Sequence, residues 1–480
     1  MKKILIIGLC TVWIASCTED LTSLDQPVKN PSVEQGVPAA TLLSNAQRNL
    51  TRNMVSTNVN TNIFRLLAQQ WAQTTYIDES QYYIGTRNIP QNWWHTMYRD
   101  VLKDLDEARR IVGESDPVFT DPAVIANQTA VIDLLDAYTC SVLITTFGNV
   151  PYTEALDITN VTPAYDDAVV IYDGLIGKID GALGSLSAEA ESFGGADLIY
   201  GGDVASWVAF GNSLKLRLGM LMVDADAPKA GTIVEQAAPG VFQSNAENAT
   251  YNFLLSPPNT NPLWEDLVQS GRNDFVAANT LVDQMNELND PRRPYYFTLA
   301  PDTTAYIGGT YGTSNNYASF SHISDQIKAE DFPGVLLDYV ETEFYLAEAV
   351  ERGFNVGGTA EEHYNAAITA SILFWGGTEE EAAAYLAQPT VAYATAEGDF
   401  EEKIGIQKWI ALYNRGFESW TEWRRLDYPV LEAPANAASD IPLRFTYPVS
   451  EQNLNKASYD AAAAAIGGDL VTTQLFFDMQ

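Results

Sequence analysis

The first residue with a distinctive chemistry is Cys17, which closes a short segment that has the composition of an export signal. Two lysines precede an apolar stretch over residues 4–15, and the small residues Ala15 and Ser16 stand directly before the cysteine. This pattern is a lipobox, in which the thiol takes a diacylglycerol and the freed amine takes a third acyl chain. Three chains, at about 0.8 kcal/mol per buried CH₂, hold a protein on a bilayer. The apolar stretch is shorter than the roughly 20 residues of a spanning helix. The sequence therefore predicts a signal peptide over 1–16, removed before a lipidated Cys17, with an ordinary secretory signal as the alternative.

Aromatic residues are concentrated in two loop-rich segments, residues 71–94 and 286–331, among many Asn, Gln, Gly, Thr and Ser residues. The polar neighbours and glycines break both the helical and the strand period, so we expect these segments to stay out of the core. Rings held on polar loops suit sugar or peptide ligands, because a ring stacks on C–H surface while polar groups nearby bind hydroxyl or amide groups. The alternative is that half of these rings pack the loops onto the body.

The sequence predicts one ligand-binding cleft where these two segments meet. Stacking area and a few aligned hydrogen bonds must supply the affinity, since a neutral oligomer offers little charge. The predicted stacking rings are Trp71, Tyr76, Tyr82, Tyr83, Trp93, Tyr306, Tyr311 and Tyr317. The predicted hydrogen-bonding partners are Asn92, Arg272 and Asn315.

Patterns that would indicate catalysis or metal binding are few. The histidines are His95, His322 and His363, far apart and without a second ligand at metal spacing, so there is no H-E-x-x-H zinc motif. No G-x-S-x-G nucleophile motif or Gly-rich phosphate loop occurs either. We therefore expect no catalytic residue, no metal site and no cofactor. A pair of carboxylates of the glycosidase kind stays open as an alternative, because Asp and Glu are abundant.

Outside the two aromatic segments, helical periodicity dominates. Apolar residues at steps of three and four predict core-facing helices that come in hairpins. The stripes are Trp94, Met97, Val101, Leu105, Ala108 and Val112; Tyr165, Ala168, Val169, Tyr172, Ile176, Ile179 and Leu183; Trp207, Phe210, Leu214, Leu218 and Leu221; and Leu337, Val340, Phe344 and Ala347. Thr162 and Pro163 predict the start of the second of these helices. Thr359 and Glu362 predict a capping box for a further helix.

Composition places most of the chain in one large globular body. The chain has 480 residues, 46% of them apolar, and a net charge of −35, which falls to −37 when the two lysines leave with the signal. Such an acidic protein repels polyanions, so we expect no nucleic-acid partner. Residues 17–38 have the composition of a flexible tether, and residues 39–480 are predicted to form a single domain. Cys140 is then the one thiol left, and its apolar surroundings indicate core packing.

Seven motifs follow one another in an order that resembles the SusD/RagB family of nutrient-binding outer-membrane lipoproteins, with the SusD-like branch the most similar. They are residues 145–155 (TTFGNVPYTEA), 197–203 (DLIYGGD) with the helix that follows, 289–292 (NDPR), 343–349 (EFYLAEA), 407–413 (QKWIALY), 420–425 (WTEWRR) and 441–448 (IPLRFTYP). The resemblance implies a mostly α-helical fold of tetratricopeptide-like helix hairpins with long ligand-binding loop excursions. Physically, the Trp residues of the 409–425 region are expected to fill gaps between helices, and Arg424 and Arg425 to pair with carboxylates.

The resemblance also implies a function. SusD-like proteins sit on a SusC-like TonB-dependent transporter, capture an oligosaccharide or peptide and deliver it for import, so binding and not bond cleavage is the expected task. Glu19 and Asp20, directly after Cys17, resemble the surface-export signal of Bacteroidota lipoproteins and place the body on the exterior of the outer membrane. Two other classes stay open: a surface glycoside hydrolase or other hydrolase, and a structural lipoprotein without a ligand.

Overall fold

The fold is known from a computed structural model that describes residues 36–479. Cys17, Glu19 and Asp20, together with the predicted signal and nearly all of the predicted tether, lie outside the described residues. Residues 39–480 form one unit, and the description below concerns that unit.

Helices make up most of the described elements, and the four β-strands are short. The α-helices are α1 (Ala39–Val55), α2 (Phe64–Leu67), α3 (Ile89–His95), α4 (Lys103–Gly113), α5 (Pro122–Phe147), α6 (Ala168–Ser185), α7 (Val204–Leu221), α8 (Ala227–Ala237), α9 (Pro262–Trp264), α10 (Asn279–Glu287), α11 (Arg293–Tyr296), α12 (Tyr339–Glu351), α13 (Ala360–Trp375), α14 (Glu379–Leu386), α15 (Phe400–Ala411), α16 (Gly416–Leu426), α17 (Val449–Leu454) and α18 (Lys456–Ala465). The strands are β1 (Trp71–Gln73), β2 (Ala249–Tyr251), β3 (Phe275–Ala277) and β4 (Gly334–Leu337).

Sequence neighbours pack against each other as helix hairpins. Helix α5 packs on α6, α7 on α8, α12 on α13, and α15 on α16. The predicted mostly helical, tetratricopeptide-like fold with helix hairpins is confirmed. Helix α5 is long and apolar enough to cross a membrane, but 94% of its most apolar stretch is buried inside the protein. A core helix has the same composition, and α5 is the central element against which α4, α6 and α7 pack.

Three of the four predicted apolar stripes lie in the core, whereas the stripe of α6 is only partly buried at Val169, Ile176 and Leu183. The start of α6 also differs from the prediction. The stripe from Trp94 to Val112 is buried along a continuous helical run in which the π-helical residues Thr96–Leu102 join α3 to α4. Helix α6, predicted to begin at Thr162 and Pro163, begins at Ala168 instead. The reason is a better cap: the Asp167 carboxylate accepts hydrogen bonds from the first-turn N–H groups of α6.

The predicted capping box of α13 is confirmed. The Thr359 hydroxyl accepts from the Glu362 N–H, and the Glu362 carboxylate accepts from the Thr359 N–H. The stripe that was predicted to run from Leu337 into α12 is divided between two elements. Leu337 is the last residue of β4, and Asp338 caps the helix that follows.

A buried ion pair joins α12 to α16. Arg425 on α16 donates from both terminal nitrogens to the Glu348 carboxylate on α12, at 2.5 Å each, and also to Glu422 at 2.7 Å. These side chains are buried, so the ions neutralise one another in a low-dielectric interior. The prediction for Arg425 is thus confirmed, whereas that for Arg424 is wrong. Arg424 donates to the backbone carbonyls of Thr145 and Leu443.

Two small antiparallel sheets connect segments that are far apart in sequence. In the first, β1 pairs with β3 in the register Trp71↔Ala277 and Gln73↔Phe275. In the second, β2 pairs with β4, with an irregularity between Ala249 and Thr250. The first sheet pairs the start of the first predicted aromatic segment with residues 275–277, and the second segment is bonded to the same sheet through the Asn315 amide, which donates to the Gln73 carbonyl.

Candidate functional site

The end of the β1–β3 sheet joins the loop after β1 to the loop before β3. The Thr74 N–H donates to the Asp274 carbonyl at 2.9 Å, and the Thr74 hydroxyl donates to the Asn273 carbonyl at 2.6 Å. These bonds continue the ladder by one residue beyond Gln73 and Phe275. The residues that follow Thr74 therefore leave the sheet beside the residues that precede Asp274.

A third segment is hydrogen-bonded to the same sheet end. The Asn315 amide donates to the carbonyls of Gln73, Thr310 and Thr313 at 2.9 to 3.0 Å. The Ser314 hydroxyl donates to the Thr74 carbonyl at 2.6 Å. Asn315 thus ties its own loop into a turn and fixes that turn to the end of β1.

A fourth segment, not predicted from the sequence, completes the arrangement. The Gln69 amide donates to the Glu432 carbonyl, and the Ala438 N–H donates to the Gln81 carbonyl, both at 2.8 Å. The Gln81 amide in turn donates to the Gly312 carbonyl at 2.9 Å. We call the surface formed by segments 74–88, 265–274, 310–319 and 431–440 the β1–β3 loop surface.

Four of the predicted stacking rings are not on this surface but in the core. Trp71, Tyr82, Trp93 and Tyr311 are each at most 7% exposed. The expectation that both aromatic segments stay out of the core is therefore wrong for these residues, and their rings present no open face to a ligand. The polar neighbours of Trp71 are buried with it: Gln70 and Gln73 are at most 3% exposed, because their amides donate to groups inside the protein. A polar composition therefore does not show that this segment is exposed.

The contacts of the buried rings show what they stabilise. Trp93 packs edge-on against Phe64 of α2, with ring centroids 4.9 Å apart. The Trp71 indole N–H donates to the Tyr413 hydroxyl at 3.1 Å. The Tyr311 hydroxyl donates to the Leu66 carbonyl at 2.6 Å, and burial raises the pKa of this phenol well above its ordinary value. These rings anchor the loops to the helical body.

Two predicted hydrogen-bonding partners use their amides inside the protein. Asn315 is 7% exposed and its amide is shared among three carbonyls. Asn92, at the first turn of α3, donates to the Asn60 carbonyl at 2.7 Å. Asn315 is therefore a buried residue that holds the β1–β3 loop surface in place. Asn92 is bonded to the loop at Asn60, which is not one of the four segments of that surface.

Three predicted residues stay exposed on the β1–β3 loop surface. Tyr76 is 67% exposed and Tyr83 is 45% exposed. No hydrogen bond to another described residue occupies the hydroxyl of either tyrosine, so both can bond to a ligand. Arg272 has a pKa that is raised mainly by its hydrogen bonds to Asp274, with a smaller contribution from the nearby Tyr76. Its guanidinium donates to the Asp274 carboxylate.

Tyr317 belongs to the same surface and has a fixed ring plane. Its ring stacks on the His322 imidazole, with centroids 3.8 Å apart and an angle of 11° between the planes. A His322 ring nitrogen lies 2.8 Å from the Tyr317 carbonyl oxygen, which ties the two residues a second time. Sequence reasoning gave His322 no role, and the five-residue spacing to Tyr317 is the signal that could have indicated one.

Tyr306, the last predicted ring, is half-buried and lies outside the four segments. The Arg293 guanidinium lies over its ring, 5.7 Å from the centroid, and burial raises the pKa of its phenol. Its carbonyl accepts from the Asn286 amide at 2.9 Å. The structure thus brings Tyr76, Tyr83, Arg272 and Tyr317 onto one surface, and their role in binding stays a prediction.

Two neighbouring carboxylates of the β1–β3 loop surface, Glu265 and Asp266, have pKa values that are shifted in opposite directions. Burial raises the pKa of Asp266, which accepts from the Thr57 hydroxyl at 3.0 Å. Burial would also raise the pKa of Glu265, but hydrogen bonds from Arg52 and Thr260 hold it below its ordinary value. Both carboxylates are thus engaged by the protein itself. Among residues 36–479, no group of three or more potential ligands could hold a metal ion.

The comparisons with known proteins agree with this architecture. A family model described as "Starch-binding associating with outer membrane", of the SusD-like kind, matches residues 29–448. Because the match spans most of the chain, this protein belongs to the SusD-like family. The resemblance drawn from the seven motifs is confirmed. No curated protein sequence matches the chain.

Solved structures of SusD-like proteins have the same fold. A SusD-like protein of Bacteroidetes AC2a is 22% identical and superposes with a TM-score of 0.80, over 92% of this chain and 100% of that one. A chitin-binding SusD homolog from Flavobacterium johnsoniae is 24% identical with a TM-score of 0.78, over 92% and 99%. A SusD homolog from Bacteroides uniformis ATCC 8492 is 24% identical with a TM-score of 0.75, over the same shares.

Proposed function

We propose that this protein is a surface lipoprotein that binds an oligosaccharide, or a peptide of similar length, on the β1–β3 loop surface and delivers it to a SusC-like TonB-dependent transporter. The observation that carries the proposal is that three loops meet at one sheet end and a fourth is bonded beside them, with Tyr76 exposed near Arg272 and Tyr317 held in a fixed plane. Family membership supports nutrient binding in association with the outer membrane.

The chemistry of this surface suits binding by stacking. Tyrosine rings offer an apolar face and a polar hydroxyl, and they lose little conformational freedom when they bind. Sugar rings present C–H groups on one face and hydroxyls at the edge, which match both parts of a tyrosine. An exposed surface with few contacts also allows the fast release that delivery to a transporter needs.

Anchoring through Cys17 and the position of the body outside the cell are part of the proposal. An acylated Cys17 would hold the protein in the outer-membrane lipid, and Glu19 and Asp20 would direct it outward. The transporter is the proposed partner because a protein that only binds a nutrient needs a second protein to move it across the membrane.

A panel of oligosaccharides and peptides, incubated with purified protein and followed both by calorimetry and by product analysis, tests the proposal. We expect at least one panel member to bind and to be recovered intact. Turnover of a bound oligosaccharide that is lost in Asp266→Asn would instead support the hydrolase alternative, for which Glu265 and Asp266 are the pair with split pKa values. Absence of binding across the panel would contradict the proposal.

A further inference from the structure

Arg272, the exposed cation of the β1–β3 loop surface, is already paired with the Asp274 carboxylate. Arg272 donates from Nε to Oδ2 of Asp274 at 2.5 Å and from Nη2 to Oδ1 at 2.9 Å. These two parallel bonds occupy the edge of the guanidinium that would otherwise bind a ligand carboxylate or sulfate in the same bidentate way. The side chain of Arg272 is still 55% exposed, so the pair stands at the surface where a ligand would meet it.

The remaining charges of this surface are almost all negative. The four segments contain two cations, Arg87 and Arg272, against seven carboxylates. Arg87 is paired with the buried Glu79. The Asp78 carboxylate is exposed, and no hydrogen bond from another described residue reaches it. Within these four segments, neither cation is left without a carboxylate.

We infer that Asp274 is a specificity-determining residue, which occupies Arg272 and makes the β1–β3 loop surface select neutral or cationic oligosaccharides over those that carry uronic acid or sulfate groups. The inference rests on the proposed function, since it names the chemical class of ligand for the same surface. An anionic sugar would have to displace Asp274 from Arg272 while entering a negative potential. A neutral sugar meets neither cost.

The side chain of Asp274 can be substituted without disturbing the backbone pairing of the sheet. Its carbonyl accepts from Thr74 N–H in the sheet ladder, and this bond does not depend on the side chain. Asp274→Asn therefore removes the charge while keeping the strand pairing. The guanidinium of Arg272 then lacks its charged bidentate partner and can donate to an anionic ligand.

The test compares two probes of equal length, neutral chitotetraose and anionic tetragalacturonate, by calorimetry at one low ionic strength. We expect Asp274→Asn to raise the affinity for tetragalacturonate about tenfold relative to wild type, as a charge-assisted bidentate contact allows. The gain should disappear in Asp274→Asn/Arg272→Ala. It should also shrink at high salt, since the contact is exposed to solvent.

Asp78→Asn is the matched control, because it removes one negative charge from the same surface without releasing a guanidinium. We expect it to raise tetragalacturonate affinity by about twofold at most, through the weaker long-range repulsion alone. An equal gain in both single variants would overturn the role of Asp274 and leave only an effect of net charge. No gain in Asp274→Asn would overturn it as well.

The outcome is separable from that of the proposed function. If wild type binds chitotetraose or another neutral probe and Asp274→Asn gains nothing for tetragalacturonate, nutrient binding stands and the specificity role fails. If no neutral probe binds wild type but Asp274→Asn gains an Arg272-dependent affinity for tetragalacturonate, the exclusion of anionic sugars by Asp274 stands while the proposed binding of neutral oligosaccharides fails.

Discussion

Burial, and not residue type, separates the aromatic residues that support this surface from those that can meet a ligand. Trp93 is fully buried, whereas Tyr76 is 67% exposed, although both come from the same loop-rich segment. A ring in the core contributes packing energy to folding, and a ring on the surface is free to contribute to binding. The two roles have different consequences when the ring is removed.

Trp93→Ala is expected to destabilise the protein by about 3–5 kcal/mol, because it leaves a cavity beside Phe64. Tyr76→Ala, at an exposed position, should change the free energy of unfolding by no more than about 0.5 kcal/mol. Urea unfolding followed by circular dichroism measures both. Equal stability of the two variants would mean that Trp93 is not a core residue.

His363 gives the free energy of unfolding a pH dependence of defined sign. Burial alone would lower its pKa, but hydrogen bonds to Glu343 and to the Gly357 carbonyl raise it above the ordinary value of 6.5. The stabilisation from protonated His363 is therefore fully present below pH 6.5 and is lost as the pH rises through the folded-state pKa.

Unfolding of wild type and His363→Gln between pH 5 and pH 9 measures this dependence. We expect the stability difference between the two proteins to be largest at the acidic end and to shrink towards the alkaline end. A difference that grows as the pH rises would contradict the assigned hydrogen bonds.

At the scale of elements, the buried Arg425–Glu348 ion pair joins α16 of one helix hairpin to α12 of another. Arg425→Met removes the partner that Glu348 and Glu422 share, and leaves Arg352 beside Glu348 and Lys408 beside Glu422. We expect a loss of about 3 kcal/mol in the free energy of unfolding, the low end for a buried pair broken on one side, because each carboxylate keeps one cation. Lys456→Met, which breaks the exposed pair with Asp460, is the control and should leave the unfolding midpoint unchanged. A similar midpoint for both variants would contradict the buried network.

The sequence predicts the helices well because each helix carries its own signal. Apolar residues at steps of three and four lie in the core along the run from Trp94 to Val112, and the capping box at Thr359 marks the start of α13. The start of α6 was misplaced because Asp167 caps better than Thr162. A capping residue decides only where its own helix begins, so the misplaced start of α6 does not affect the prediction of the other helices.

The candidate surface is predicted less well, because its geometry depends on pairing across the chain. Residues 71–73 and 275–277 form a sheet only after the helical body has brought them together, and neither segment carries a strand period long enough to detect. The 431–440 loop joins the surface through its own backbone groups, the Glu432 carbonyl and the Ala438 N–H, and such groups leave no mark on the sequence. The Arg272–Asp274 pair, in contrast, is separated by one residue and could have been predicted.

At the scale of the whole molecule, the lipid anchor and the transporter are the two contacts that the proposal requires beyond the ligand. Cys17→Ala should move the protein from the membrane fraction to the soluble fraction without changing its circular dichroism spectrum, because acyl chains anchor but do not fold it. Cell fractionation measures this outcome. Retention of the variant in the membrane fraction would show that another segment or partner holds the protein there.

The wild-type protein should also be extracted in mild detergent together with a SusC-like barrel. A protein that stays bound to its transporter through many transport cycles needs a large interface, with a buried area of order 2,000 Å² or more. Pull-down from solubilised membranes, followed by identification of the partner, measures this. Recovery of the chain alone at low salt would contradict the partnership.

Calorimetric titration of starch- and chitin-derived oligosaccharides into Tyr76→Ala/Tyr317→Ala tests the central claim most directly, with Phe119→Ala as the control. Phe119 is a surface ring between α4 and α5, outside the β1–β3 loop surface, and at 87% it is more exposed than Tyr76 or Tyr317. Losing stacked rings should cost about 1–3 kcal/mol of binding free energy. The account predicts that wild type and Phe119→Ala bind with the same affinity and that the double variant binds at least about tenfold more weakly. Equal affinity of all three proteins, or a loss confined to Phe119→Ala, would contradict it.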